Sequence, residues 1–110
     1  RDLLEAKKFL SPSSIMIFPG GKLIKDLDSL VEWSKKRYKF VKKTFSSFDV
    51  IKEDNKIIVY SIGMLDGIMN EGKEIKNVRY IDRFVLEDGK IINMQVWNDL
   101  AESILVDKEK

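Results

Sequence analysis

The longest helical pattern of the chain lies between residues 26 and 46. Apolar or small side chains recur there every three or four residues, which places them on one stripe of a helix. Trp33 and Phe40 widen this stripe, while Lys35, Lys39 and Lys43 lie on the other side. The pattern predicts one long helix with its lysines in solvent. The stripe that it would bury consists of Leu27, Leu30, Val31, Ser34, Tyr38, Val41 and Phe45.

Shorter elements surround this predicted helix. A helix is expected over residues 2–10 and a strand over residues 14–18, followed by a turn at Pro19, Gly20 and Gly21. After residue 46 the apolar period changes to two, which indicates strands. Two strands would meet at a turn over residues 53–55, and two more would run over residues 75–86 and 90–99. The chain therefore reads as one α+β domain spanning residues 1–110.

The last predicted hairpin contains a carboxylate, Asp82, in an apolar strand. A two-residue turn at Asp88 and Gly89 would pair Asp82 with Gln95, and a three-residue loop would pair it with Met94. The second register separates apolar from polar side chains better, so we prefer it. It places Tyr80, Asp82, Phe84, Leu86, Ile92, Met94, Val96 and Asn98 on an apolar, concave face. The convex face then holds Arg79, Ile81, Arg83, Val85, Ile91, Asn93, Gln95, Trp97 and Asp99.

A carboxylate on that face is costly to leave charged. With no basic side chain predicted beside it, Asp82 is expected to be buried and largely protonated near neutral pH. A protonated Asp in a dry pocket donates a good hydrogen bond. Two roles stay open: Asp82 satisfies a buried hydroxyl or amide, or it acts in a pocket.

Composition excludes several kinds of chemistry. The chain has no Cys and no His, so a disulfide, a thiolate metal site and a histidine base are absent. No metal and no cofactor is expected, and acid–base chemistry would fall to Asp, Glu, Tyr or Lys. Six basic residues lie within residues 35–43, but 18 acidic residues balance the chain to a net charge of +2, so nucleic-acid binding is not expected. No apolar run reaches membrane-spanning length, and a cytoplasmic location is the expectation.

Two segments resemble a known family. "YIDRFVLEDGKIINMQVWND" is similar to the closing hairpin of the SnoaL-like and ketosteroid isomerase branches of the nuclear transport factor 2-like superfamily. "FLSPSSIMIFPGG" resembles the segment that leads into the first strand of that family. The resemblance implies a cone-shaped α+β barrel (NTF2-like), with a long helix packed on a strongly curved, mostly antiparallel sheet. The chain opens at Arg1 without a Met, so the first helix of the family is expected to lie upstream of it.

The resemblance also implies roles for individual residues. Asp82 matches the protonated Asp that serves ketosteroid isomerase as an oxyanion-hole donor. Phe18, directly before Pro19, stands where that enzyme has its catalytic Asp, and a Phe cannot take a proton. Isomerase activity is therefore not expected, because the reaction needs the base as well as the donor. SnoaL-like cyclases also use an acidic residue in the pocket, and Asp82 would be that residue here.

Two functions follow from these observations. In the first, the cone binds a small, largely apolar molecule, with cyclase-like or isomerase-like acid–base chemistry at Asp82. In the second, the fold is a non-catalytic binding or dimerisation module, which a cavity closed by Phe18, Trp33 and Met94 would favour. The predicted pocket is lined by Phe18, Trp33, Tyr60, Met64, Tyr80, Phe84, Met94, Val96 and Asn98. A homodimer is expected, and its predicted interface consists of Arg79, Arg83, Gln95 and Trp97.

Overall fold

A computed structural model describes residues 6–109, and the side chains of residues 6–105. Within that range six strands form one sheet in the order β2-β1-β6-β5-β4-β3. Strands β1 and β6 run parallel, and every other neighbouring pair is antiparallel. The α+β class is as predicted. The elements are β1 (Leu10–Phe18), β2 (Lys22–Ile24), α1 (Leu27–Lys35), β3 (Tyr38–Glu53), β4 (Lys56–Met69), β5 (Glu74–Glu87), β6 (Lys90–Asn98) and α2 (Leu100–Glu109).

Helix α1 begins where the sequence indicates but ends early. The Asp26 carboxylate accepts the backbone N–H of Ser29 at 2.7 Å, which caps the first turn. The N–H of Lys36 then donates to the carbonyl of Glu32 and the N–H of Arg37 to that of Ser34, and β3 begins at Tyr38. The predicted helix over residues 26–46 is therefore wrong in its second half. Aromatic and β-branched residues crowd that half, and pairing with β4 along nearly all of β3 outweighs the helical spacing.

This correction changes what is buried. Val41 and Phe45, which were predicted to face the core, are 38% and 57% exposed. The core lies instead between the sheet and α2, a helix that the sequence did not predict, and Leu100 of α2 is buried there. Tyr38 and Ile104 pack against the edge of this cluster. The buried sheet residues of the cluster are Leu65, Met69, Ile75, Val78 and Tyr80.

The overall shape also departs from the expectation. The molecule measures 49 × 27 × 23 Å, and its sheet is long rather than strongly curved. Helix α1 has nine residues, so the predicted long helix packed on a cone is not found. At the amino terminus Leu10 already belongs to β1, and residues 2–5 of the helix predicted over residues 2–10 lie outside the described range.

The last two hairpins follow the predicted boundaries closely. Asp54 and Asp88 adopt positive φ angles of 55° and 52° in the two tight turns, a conformation that short hairpin loops require. The β5–β6 pairing shifts between Val85 and Leu86, so Asp82 lies opposite Val96 instead of Met94. The predicted partner is wrong by two residues: Glu87 pairs with Lys90, so the loop has two residues instead of the preferred three, and a bulge adds one more residue to β6. An even shift leaves the side chain on the same face.

Candidate functional site

Asp82 lies on the face of the sheet that packs on α2, which we call the inner face. Its neighbours across the strands are Ser61 of β4 and Val96 of β6. All three are buried, and Asp82 is only 1% exposed. The expectation that Asp82 is buried is confirmed.

Lys43 of β3 reaches Asp82 from the edge of the sheet. Its Nζ lies 2.5 Å from Oδ2 of Asp82, in the geometry of an ion pair. The Lys43 side chain is itself 38% exposed. The expectation that Asp82 has no basic neighbour is wrong, and the protonated-donor hypothesis loses its premise. The error follows from the helix prediction, which turned Lys43 toward solvent and away from the sheet.

The second carboxylate oxygen of Asp82 is less well satisfied. Oδ1 is buried and has no hydrogen-bond partner among the described residues. Buried carboxylate oxygens without partners are uncommon, because desolvation is then uncompensated. The ion pair with Lys43 is consequently the main interaction that offsets the burial of this charge.

Tyr80 and Ser61 complete a polar group that we call the Asp82 cluster (Lys43, Ser61, Tyr80 and Asp82). The Tyr80 hydroxyl and Ser61 Oγ share a hydrogen bond of 3.3 Å, and Lys43 Nζ lies 5.0 Å from the centre of the Tyr80 ring. The edge of the Tyr80 ring also meets Phe45 at a centroid distance of 6.5 Å. Only Lys43 of the cluster presents a partly exposed side chain, so it alone can reach a molecule outside the core.

Gly63 makes room for this cluster. It pairs with Phe45 on one side and Tyr80 on the other. A Cβ at Gly63 would overlap the Thr44 carbonyl oxygen and lie 2.9 Å from Cε2 of Tyr80. The missing side chain therefore lets the Tyr80 ring approach β4 and β3 closely.

The structure separates the predicted pocket residues into three groups. Phe18 and Trp33 pack on each other at 5.2 Å, and the Arg37 guanidinium lies 4.4 Å from the centre of the Trp33 ring. Tyr60 and Met64 lie on the opposite, outer face, so their assignment to the inner pocket is wrong. Register explains this, because both alternate with the buried Ser61 and Gly63 on β4. The residues that share the inner face with Asp82 are Tyr80, Phe84, Met94, Val96 and Asn98.

The outer face carries the predicted interface residues. Trp97 lies opposite Ile81, and the two side chains are 51% and 41% exposed. Beside them the Asp99 carboxylate accepts a hydrogen bond from Nε of Arg79 at 2.5 Å, and this bond raises the pKa of Arg79 above its ordinary value. These side chains border a groove of about 520 Å³, whose lining also includes Ser46, Ile62, Gly63, Met64, Tyr80 and Asn98.

Arg83 and Gln95, the other two predicted interface residues, lie opposite each other on the same outer face. Arg83 Nε donates to the Tyr60 hydroxyl at 3.2 Å, which ties two neighbouring strands together. The outer face therefore combines an apolar centre at Trp97 with charged and polar groups around it. Protein interfaces show the same arrangement of an apolar core and a polar rim.

Strand β3 exposes apolar residues that the sequence reasoning missed. The exposed large side chains of this strand are Phe40, Val41, Phe45, Phe48, Val50 and Ile51. The enrichment of aromatic and β-branched residues over this segment was the signal that could have identified a strand. Some of the same residues also fit helical spacing, and that spacing predicts the helix instead.

The described residues also bear on two other classes of site, metal centres and membrane spans. Among the described residues, no group of three or more acidic side chains is placed to hold a metal ion. Across the same part of the chain, no helix is both long and apolar enough to cross a membrane.

Solved structures show the same fold. An NTF2-like protein of unknown function from Burkholderia pseudomallei superposes with a TM-score of 0.74 at 18% identity, over 94% of this chain and 83% of that one. A protein described as a SnoaL-like polyketide cyclase from Jannaschia sp. CCS1 gives 0.65 at 16% identity, over 89% and 72% of the two chains. A protein described as a ketosteroid isomerase from Shewanella frigidimarina superposes with a TM-score of 0.65 at 18% identity, over 87% of this chain and 81% of that one. The chain therefore has the NTF2-like fold that the resemblance implied.

Other structures with this fold belong to assemblies. They include a CaMKII hub from S. rosetta, with a TM-score of 0.65, and a complex of Mtr2 with the Mex67 M domain from C. albicans, with a TM-score of 0.60. No family model matches the sequence, and no curated protein matches it either. The similarity is thus one of fold.

Proposed function

We propose that the chain is a single NTF2-like domain that acts as a non-catalytic interaction module and forms a homodimer through its outer sheet face. The observation that carries this proposal is the exposed pair of Trp97 and Ile81 at the centre of that face. Burial of an exposed aromatic side chain provides a large part of the free energy of many protein interfaces.

The burial of Asp82 also favours an interaction module. The carboxylate is 1% exposed and is held by Lys43, so a substrate on the surface does not reach it. Phe18 cannot act as a base, and its ring packs against Trp33. An acid–base reaction needs a group within hydrogen-bond reach of the substrate. The described residues place no carboxylate of the Asp82 cluster in that position.

The fold neighbours support assembly as a role of this fold. One is a CaMKII hub and another is part of a complex between two proteins. We extend only the general property to this chain, namely that an NTF2-like domain serves as an assembly surface. The rim of charged groups around Trp97, including Arg79, would set the orientation of the two copies.

Size-exclusion chromatography with light scattering tests the proposal. The intact chain is expected to have a mass larger than that of a monomer, and Trp97→Glu is expected to have a smaller mass than the wild type at the same concentration. Leu105→Glu is the matched control, because Leu105 is 53% exposed on α2, away from the outer face. A Trp97→Glu variant that keeps the mass of the wild type would contradict the proposed interface.

A small, largely apolar ligand bound on the inner face, with acid–base chemistry at Asp82, is the second candidate. Two observations favour it: Oδ1 of Asp82 is buried without a partner, and the partly exposed Lys43 lies beside the exposed Phe45. An anionic aromatic fluorophore, 1-anilinonaphthalene-8-sulfonate, is a suitable probe. Lys43→Met should weaken its binding, whereas Lys39→Met should not. Equal binding by both variants would exclude Lys43 from the site.

A further inference from the structure

Strand β3 forms one end of the sheet, and its outer edge carries no neighbouring strand within the described residues. Such an edge presents unpaired N–H and C=O groups that can pair with another chain. Every residue from Lys39 to Glu53 is exposed. This edge is therefore available over a length that most proteins shorten or cover.

Only part of the edge is regular. The pairing with β4 shifts between Phe45 and Ser47, and a bulge of this kind interrupts strand addition. From Ser47 to Glu53 the pairing continues without a break to the β3–β4 turn. We call this stretch of β3 the regular edge. Phe48, Val50 and Lys52 lie on its inner face, and Ser47, Asp49, Ile51 and Glu53 lie on its outer face.

A second copy fits this edge in one symmetric register. Two antiparallel copies related by a two-fold axis bring one residue opposite itself. An axis at Asp49 would oppose two carboxylates, an axis at Lys52 would oppose two ammonium groups, and an axis at Ile51 would oppose Asp49 with Glu53. Like charges directly opposite each other destabilise a strand pair.

An axis at Val50 avoids each of these conflicts. It brings Val50 opposite the partner's Val50, Phe48 opposite the partner's Lys52, and Asp49 opposite the partner's Ile51. The ammonium of a Lys opposite a Phe ring makes a favourable cation–π contact. An axis at Phe48 would run into the bulge at once, so the register at Val50 is also the one that uses all of the regular edge.

We propose that two copies of the chain pair antiparallel along the regular edge, with Val50 on the two-fold axis, and so join their sheets into one continuous sheet. The surface differs from the outer face around Trp97, so this inference does not depend on the proposed dimer. Each contact is symmetric and uses a different patch. A chain with both contacts forms assemblies larger than a dimer.

Disulfide cross-linking tests the register directly, because the chain contains no Cys. Directly opposite residues have Cβ atoms roughly 4.5–5.5 Å apart, so Val50→Cys should form a disulfide dimer under mild oxidation. Asp49→Cys and Ile51→Cys should each fail alone, because diagonal neighbours lie roughly 7–8 Å apart. An equal mixture of these two variants should cross-link, since Asp49 lies opposite the partner's Ile51.

The outcomes separate this proposal from the outer-face dimer. Cross-linking of Val50→Cys should persist when Trp97→Glu is added, even if the outer-face contact is lost or never existed. If Val50→Cys reacts no faster than Asp49→Cys, or if the mixture does not cross-link, the proposed register is overturned.

A charge at the axis gives an independent readout without cysteine. Val50→Lys opposes two ammonium groups across the axis and should reduce the mass measured by sedimentation equilibrium. Val50→Thr keeps a β-branched side chain without a charge and should retain the mass of the wild type. Val50 is 60% exposed in the single chain, so both variants should fold. An unchanged mass in Val50→Lys would overturn the edge contact.

Discussion

Replacement of Lys43 by Met should destabilise the protein more than replacement of Asp82 by Asn. Lys43→Met keeps much of the side-chain volume but leaves the Asp82 carboxylate without its ion-pair partner. That carboxylate is 1% exposed, and its Oδ1 already lacks a partner. Asp82→Asn instead leaves an ammonium on a side chain that is 38% exposed and can turn toward water.

The magnitudes follow from this difference in exposure. Removal of one partner from a fully buried ion pair costs about 3–5 kcal/mol. Water reaches Lys43 here, so we expect about 2–3 kcal/mol for Lys43→Met. Asp82→Asn loses a hydrogen bond to a charged group but leaves no buried charge without a partner. We therefore expect it to destabilise the protein by about 1–2 kcal/mol. The double variant Lys43→Met with Asp82→Leu removes both charges and should recover most of the loss, because apolar replacements of a buried pair are often neutral.

Urea denaturation followed by circular dichroism measures these differences, with equal slopes required of all variants. Lys42→Met is the matched control, since Lys42 neighbours Lys43 on the same strand but points to the outer face. If Lys43→Met is as stable as Lys42→Met, the ion pair does not stabilise the fold. If the double variant is less stable than Lys43→Met alone, the unpaired Asp82 carboxylate is not what destabilises Lys43→Met, and the explanation is refuted.

Three further predictions concern other parts of the fold. Gly63→Ala should lower the free energy of unfolding by about 2–4 kcal/mol, because the added Cβ overlaps β3. Gly20→Ala has no neighbour near its Cβ but a φ of 81°, so it should lower that free energy by about 1 kcal/mol. Equal shifts of the melting temperature in the two variants would contradict the steric argument. The Ser29 backbone N–H lowers the pKa of Asp26, so the capping contribution is present above the ordinary pKa of an Asp and is lost as pH falls through the lower folded value. Asp26→Ala should therefore melt below the wild type at pH 7, with a gap that narrows in acid; a gap that does not change with pH would rule out the charged cap. Asp99→Asn removes the carboxylate that accepts the Arg79 Nε–H and raises the pKa of Arg79, so it is expected to speed the solvent exchange of that Nε–H measured by NMR at neutral pH, and an unchanged exchange rate would contradict the contact.

The sequence predicted the strands on the carboxyl side of the chain well because their period of two is clear and their turns have strong signals. Asp54–Asn55 and Asp88–Gly89 adopt the tight turns that such residues favour. The burial of Asp82 could also be predicted, since one alternating pattern places it among apolar residues. These features depend on local sequence, which is why they were predictable.

The features that could not be predicted depend on distant parts of the chain. Residues 38–46 fit both a helix and a strand, and pairing with β4 decides between them. Lys43 reaches Asp82 only because that segment is a strand, so one wrong element also hid the ion pair. The bulge between Val85 and Leu86 leaves no clear signal in the sequence, and together with the two-residue turn at Asp88 and Gly89 it moved the partner of Asp82 by two residues.

Fluorescence of Trp97 tests the proposed outer-face interface most directly. The chain has two Trp residues, and Trp33→Phe leaves Trp97 as the reporter. Val50→Lys is added to remove the edge contact. Light scattering follows the conversion of monomer to dimer as the protein concentration rises. Over the same concentrations, we predict that Trp97 emission shifts to shorter wavelength and that acrylamide quenches it less. If the mass doubles while the emission and quenching of Trp97 stay constant, the interface lies elsewhere and the central claim is contradicted.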